Sequence, residues 1–280
     1  MELGAEIERN VEAALAEDVG GGDWTARLTS EGRHANAGLV CRVDAVLCGR
    51  PWFEACFRRL DPGMRIDWLR NEGDSVPAGS RVCELAGDAR ALLTGERTGL
   101  NFLQLLSAVA TETRRYVEAV KGTRAAIVDT RKTLPGLRLA QKYAVRCGGG
   151  VNHRLGLYDG ILIKENHIAA AGTVTGALER ARTLAPPGVW IQIEVENFAQ
   201  LEEALGGDAK MILLDNMSTD QMREAVRITA GRAQLEASGG ITLATVREIA
   251  ETGVDRISIG SLTKDIKAID LSMRFTEGEL

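Results

Sequence analysis

In the second half of this sequence, six short apolar runs each end on charge, on glycine or on a hydroxyl: AAIVDT, GILIKEN, VWIQIEVEN, AKMILLDN, AQLEASGG and DRISIGS. The residues at those ends are of three chemical kinds. Arg131, Lys132 and Lys164, with His153 and Arg154 nearby in the chain, can bind carboxylates and phosphates, and arginine can do so in a bidentate fork. Glu194 and Asp215 are carboxylates, and such oxygens suit Mg2+ that is shared with a substrate phosphate. Ser238-Gly239-Gly240 and Gly260-Ser261 place small residues just before helical segments, where backbone N–H groups can cradle a phosphate. The combination points to a site for small anions, at least one of them phosphorylated.

Such a set needs a scaffold that brings distant strand ends together. Alternation of β-branched runs with helical segments after Lys121 is the pattern of βα units and a parallel sheet. Parallel strands covered on both faces are nearly all apolar, so a polar group recurring at the end of every run has to be accommodated somewhere. In an α/β barrel the C-terminal strand ends converge on one mouth, where active sites are built. The run ends, Asp129 included, are therefore expected to ring one cavity. Polar loops alone would account for any one of the six, but not for all of them.

The charge is unevenly spread. Residues 129–168 hold seven Arg or Lys against three acids, four units positive in a chain of net charge −5, so the rest carries a net charge of −9. Arg138, Lys142 and Arg146 recur at every fourth residue of a helix that opens near Pro135, and so share one face. Whether that row is solvated or faces a substrate is open from the spacing. His167 reads equally well as a structural hydrogen-bonding residue, and His34 receives no role.

The first half is built differently. Residues 1 to about 20 read as an amphipathic helix with Ile7, Val11, Ala14 and Leu15 on its apolar side. Short β-type runs from Gly38 to about Leu93, broken at DPG, EGDSVPAG and AGD, predict a small antiparallel α+β unit. EGDSVPAGSRVCEL has the turn pattern of a lipoyl or biotinyl carrier, but no lysine stands at the turn. A long helix follows from Gly95 to Lys121. Arg97 and Asn101 fall on its first turn, where spare N–H groups could meet an anion.

At 280 residues and 45% hydrophobic, the chain can bury a barrel-sized core and a smaller second one. It contains no apolar run of about 20 residues, and its start is too acidic for a signal peptide, so a cytoplasmic protein with no membrane partner is expected. Five cysteines without a CxxC pair predict reduced, mostly buried thiols. Low aromatic content and net negative charge speak against nucleic acid as a partner. No zinc spacing and no GxSxG turn occurs, which disfavours a zinc enzyme or a serine hydrolase.

DTRKTLPGLR, KYAVRCGGGVNHRLGLYDGILIKENHI, IEVEN, ILLDNM, EASGGI and IGSLTKDIKAIDLSMRF, with EDVGGGDWT and ERTGLN earlier, closely resemble the quinolinate phosphoribosyltransferase family over nearly the whole chain. The resemblance implies an α/β protein: an N-terminal α+β open-faced sandwich, residues 1–105 rejoined by the tail 266–280, and an incomplete α/β barrel at 106–265. It further implies a homodimer or dimer-based oligomer in which Arg97 reaches the partner's site. The activity implied is decarboxylating phosphoribosyl transfer to quinolinate from phosphoribosyl pyrophosphate with Mg2+. By similarity, Arg97, Thr130, Arg131, Lys132, Arg138, His153, Arg154 and Lys164 would bind the substrates. Lys132, Lys164, Glu194 and Asp215 would be catalytic, the two acids also meeting the metal directly or through substrate or water. Ser238, Gly239, Gly240, Ile259, Gly260 and Ser261 match the family's phosphate-binding segments. Gln192 departs from the pattern, standing where an acid is common. Two alternatives are weighed: a related protein of molybdate-transport operons, and a Schiff-base barrel lyase using Lys164.

Overall fold

A computed structural model describes residues 3–276; part of the expected tail, 277–280, lies outside the described residues. The chain divides into two compact units, one comprising 1–112, 133–149 and 264–280, the other 113–132 and 150–263.

The first unit opens with helix α1 (Gly4–Val19), whose Val11 and Leu15 are buried, as the amphipathic spacing predicts. Its main sheet combines β1 (His34–Cys41), β3 (Arg65–Trp68), β5 (Arg81–Asp88) and β12 (Leu271–Phe275) in the order β12-β1-β5-β3, all antiparallel. The C-terminal segment thus returns as an edge strand. Burial alternates along β1, putting Ala35, Ala37, Leu39 and Cys41 inside. That is the period-two pattern of a sheet with one covered face. Two further short strands, β2 (Ala45–Val46) and β4 (Ser75–Val76), pair with each other.

Helix α2 (Arg50–Leu60) and helix α3 (Ala89–Ala119) supply the cover. Phe53 and Phe57 of α2 pack together, and Gly95 and Gly99 of α3 meet them so closely that a Cβ at either would lie 3.0 Å from a ring carbon. Two larger residues there would push the helices apart. The α3 start differs from the sequence expectation. Asp88 accepts the Ala91 N–H at 2.9 Å and caps the helix at Ala89, so Arg97 sits two turns inside it. Arg97 and Asn101 therefore have no spare helix-end N–H groups beside them, and the first-turn anion reading is corrected. Helix α4 (Arg138–Cys147) also belongs to this unit. Its cationic row is not a solvated stripe: Lys142 is fully buried, whereas Arg146 is exposed.

The second unit is a parallel sheet of β6 (Ala126–Val128), β7 (Gly160–Ile163), β8 (Trp190–Val195), β9 (Met211–Asp215), β10 (Gln234–Ser238) and β11 (Arg256–Ser258) in the order β6-β11-β10-β9-β8-β7. The two end strands, β6 and β7, do not pair, so the barrel is incomplete. Helices α5 (Glu165–Ala171), α6 (Val174–Leu184), α7 (Phe198–Gly206), α8 (Thr219–Thr229), α9 (Val246–Ala250) and α10 (Ser261–Lys264) fill the crossovers. Alternate strand residues, such as Ile193, Val195, Ile212, Leu214, Leu235 and Ala237, enter the core with Leu178, Leu201 and Met222 of the helices. The residues between them face the other way. They are what builds the site.

Candidate active site

The inner side of the second unit encloses a cavity of about 270 Å3. Its wall contains Thr130, Arg131, Lys132, His153, Arg154, Lys164, Glu194 and Ser238, so eight of the residues expected at the site do meet in one place. Asp215, Gly239, Gly240, Ile259, Gly260 and Ser261 follow or close the neighbouring strands β9, β10 and β11. Arg97 and Arg138 belong to the first unit.

The cationic wall is assembled by one buried acid. Asp129, wholly buried, accepts hydrogen bonds from the Asn152 amide (2.6 Å) and the His153 backbone N–H (2.8 Å). It was expected on the cavity rim; instead it ties the segment after β6 to the one carrying His153 and Arg154. A second acid, Asp159, accepts the N–H groups of Leu155 and Gly156 and shapes the same loop. Arg154 donates to the Gly160 carbonyl at 3.1 Å.

Burial lowers the Arg154 pKa from its ordinary value, and the nearby Arg131 guanidinium lowers it further. Arg131 keeps a buried Nε–H with no acceptor. An unsatisfied donor beside a second, half-buried cation costs free energy, and an anion placed between them would recover it. Two converging guanidiniums suit a carboxylate.

Opposite lies the acidic wall. Lys164 Nζ stands 3.1 Å from Glu194 Oε2, the lysine about half exposed and the acid nearly buried. Burial raises the Glu194 pKa and nearby Asp215 raises it further, while Lys164 pulls in the opposite direction. His167 does not face this site: its Nδ1 accepts the Lys164 N–H and closes the first turn of α5, the structural role weighed for it.

Three polar residues lie deeper. Within parallel strands, i and i+2 share a face, so Gln192 lies below Glu194 and Glu236 below Ser238. Gln192 Nε2 donates to Glu236 Oε2 (3.2 Å), which leaves its carbonyl to accept the His153 Nε2–H at 2.8 Å. Glu236 thereby sets the amide orientation and, through it, the tautomer of His153. Arg256 completes the chain by donating to Glu236 at 3.0 Å, and Trp190 packs edge-on against His153 at 4.9 Å. Glu236 was missed as a site residue. The signal was present, since an acid two residues before the end of a parallel run must point into the cavity or into the core, and only the first is tolerable.

The glycine turns are built for close approach. Gly239 (φ +105°) and Gly240 (φ +58°) adopt backbone conformations that side chains rarely take, and a Cβ on Gly239 would lie 2.1 Å from Asn216 Oδ1. At Gly260 a Cβ would lie 3.1 Å from Lys132 Cδ. The lysine therefore crosses the last strand end, its own carbonyl fixed by the Thr263 hydroxyl at 2.8 Å.

Comparison with known proteins gives a consistent result. Residues 23–107 match the family model "Quinolinate phosphoribosyl transferase, N-terminal domain", and residues 109–274 match "Quinolinate phosphoribosyl transferase, C-terminal domain". A probable nicotinate-nucleotide pyrophosphorylase [carboxylating] of Synechocystis is 42% identical over 263 residues, covering 93% of this chain and 89% of the relative. A protein of the same name from Bacillus subtilis is 42% identical over 260 residues, covering 93% and 90%. Among solved structures, the nicotinate-nucleotide pyrophosphorylase of Francisella tularensis superposes with a TM-score of 0.94 at 44% identity, over 97% of this chain and 96% of that one.

Proposed function

The chain belongs to the quinolinate phosphoribosyltransferase family, and from that premise we propose how its residues carry out the family's reaction. It is a pentosyltransferase of NAD biosynthesis. It transfers phosphoribosyl from phosphoribosyl pyrophosphate to quinolinate and releases pyrophosphate and carbon dioxide to leave nicotinate mononucleotide. The names "carboxylating" and "decarboxylating" borne by its relatives describe one reaction written in opposite directions.

The observation that carries the reading is the pair Arg131 and Arg154, two close guanidiniums of which one holds a buried unpartnered N–H. Quinolinate is a planar dicarboxylate with adjacent carboxyl groups. One carboxylate lies between the two guanidiniums, with His153 in its fixed tautomer and Lys164 at the edge. The sugar phosphate rests on the Ser238–Gly240 and Gly260–Ser261 turns, and Lys132 crosses to the leaving pyrophosphate. The pyridine nitrogen attacks the anomeric carbon, the bond to pyrophosphate breaks, and Glu194 and Asp215 stabilise positive charge developing on the sugar. Once quaternised, the ring nitrogen stabilises the electron pair left on the neighbouring carbon as its carboxylate departs as carbon dioxide, and a proton from solvent then fills that carbon to give nicotinate mononucleotide. Positioning and charge supply the rate.

Glu194 and Asp215 also fit Mg2+. Both offer hard oxygens, and burial, with Asp215 adding to it, raises the Glu194 pKa, a cost that a bound cation would relieve. The bound ion would neutralise charge on the pyrophosphate. Lys164 is ion-paired with the Glu194 carboxylate at 3.1 Å, which favours anion binding over Schiff-base chemistry. We further propose a homodimer in which Arg97 of one chain serves its partner's site, and a cytoplasmic setting, supported by five cysteines of which none is in a disulfide. Among the described residues, no helix is long and apolar enough to cross a membrane.

The direct test is incubation with carboxyl-labelled quinolinate, phosphoribosyl pyrophosphate and Mg2+. Labelled carbon dioxide should be released in equal amount to pyrophosphate. Binding of both substrates without release would refute the reading.

A further inference from the structure

The first unit holds a second cluster of ligating side chains. Cys48 lies between β2 and α2, Glu72 lies between β3 and β4, and Cys147 ends α4; their two sulfurs and a carboxylate oxygen all lie within 4.8 Å of one another. No spacing in the sequence announces this trio, because its members stand 24 and 75 residues apart.

Each donor is held in place. Glu72 accepts the Gly49 N–H at 2.6 Å on one oxygen and the Arg50 N–H at 3.3 Å on the other, which caps the start of α2 and fixes the carboxylate plane. The two loops are laced by Gly73 N–H to Leu47 O (2.8 Å) and Leu47 N–H to Asp74 O (2.9 Å). Gly73, at φ +84°, brings this loop against the Cys147 carbonyl, where a Cβ would sit at 3.4 Å. Cys48 is fully buried, and Cys147 is partly exposed. Tyr143, whose ring packs 5.5 Å from Trp52, hydrogen-bonds to the Cys147 sulfur.

We propose that Cys48, Glu72 and Cys147 form a binding site for a thiophilic divalent cation of the zinc type, with a fourth position open to water. Two sulfurs and one carboxylate are a zinc donor set and a poor one for magnesium. Tetrahedral geometry with metal–sulfur bonds of about 2.3 Å puts two sulfurs about 3.8 Å apart, so the cluster needs at most about 1 Å of adjustment. The Glu72 cap and the Tyr143 hydroxyl are the outer hydrogen bonds that orient such ligands. The ion would replace the thiol protons and link α4 to the loops before α2 and β4.

The test uses the reduced, chelator-treated full chain. Cd2+ titration should produce a thiolate-to-metal charge-transfer band that saturates at one equivalent. Native mass spectrometry should show one bound Zn2+, the melting temperature should rise with Zn2+, and millimolar Mg2+ should cause neither effect. Cys147→Ser, at the partly exposed position, should lose the band while keeping its far-ultraviolet circular dichroism; Cys83→Ser should keep it. The wild-type titration stands even where Cys48→Ser does not fold. Absence of a saturating band, its persistence in Cys147→Ser, or a Cys48–Cys147 disulfide forming in air in a chain that binds neither metal would overturn the proposal.

Discussion

Replacing Arg154 by methionine tests the anion-binding wall in isolation. Methionine retains an unbranched apolar stem and removes the guanidinium. In the unliganded chain the change deletes one hydrogen bond to Gly160 O, of about 1 kcal/mol, but it also relieves Arg131 of a like charge. The free protein should therefore melt within a few degrees of the parent. In the complex the balance is different. A carboxylate loses one charge-assisted hydrogen bond, or two if bidentate, at about 1.5–3 kcal/mol each. At about 1.4 kcal/mol per decade this is a roughly 10- to 10000-fold loss of quinolinate affinity. Phosphoribosyl pyrophosphate rests on other residues, so its KM should move by no more than about twofold, as for independent sites. Arg154→Lys keeps the charge without the fork and should recover only part of the loss. Calorimetric titration with quinolinate and steady-state kinetics in both substrates measure all of this. An affinity loss below about fivefold, less than the loss of one such hydrogen bond, or equal losses for both substrates, would show that Arg154 does not grip the carboxylate.

Glu194→Gln should lower kcat by about 100- to 1000-fold, the range for loss of one electrostatic stabiliser, while leaving quinolinate affinity largely intact. Because burial raises the folded-state pKa of Glu194 above 4.5, its contribution to stability is fully present below the unfolded value and lost as pH rises through the folded one. Unfolding in urea across that window should therefore show a shallower decline for the Gln variant. Gln192→Glu would set a second carboxylate against buried Glu236 and should destabilise by about 1–3 kcal/mol, measurable by the same titration; a neutral effect would mean that the amide does not bridge His153 and Glu236. Gly239→Ala drives a methyl into Asn216 at a positive φ, and should raise the KM for phosphoribosyl pyrophosphate more than that for quinolinate. Mixing Arg97→Ala with Lys164→Ala chains should restore partial activity in verified heterodimers, and failure to do so would remove the shared-site proposal.

Much of this protein is readable along the chain because parallel strands impose a simple rule. Their buried bodies must be apolar, so Lys164, Asp215, Ser238 and the 260–261 turn stand out as run ends, and their common location follows from barrel topology. The antiparallel character of the first half and the amphipathic first helix are equally local properties. The α3 start was misplaced because its N-terminal residues, Ala89 to Thr94, carry little periodic signal before Gly95, and because the cap at Asp88 lies at the end of a strand.

Pairings between segments were decided by the tertiary structure alone. Asp129 reads as one more charged strand end, yet it is buried and binds residues 152 and 153; Lys142 reads as part of a helical stripe, yet it is inside. The approach of Arg131 to Arg154, the chain from His153 through Gln192 to Glu236, and the meeting of Cys48 with Cys147 join residues 23 to 99 positions apart. Periodicity says which face a residue occupies, because that is set by backbone geometry within a few residues. Which partner it finds there depends on loop lengths, register and close-packed volume, quantities that exist only once the chain has folded.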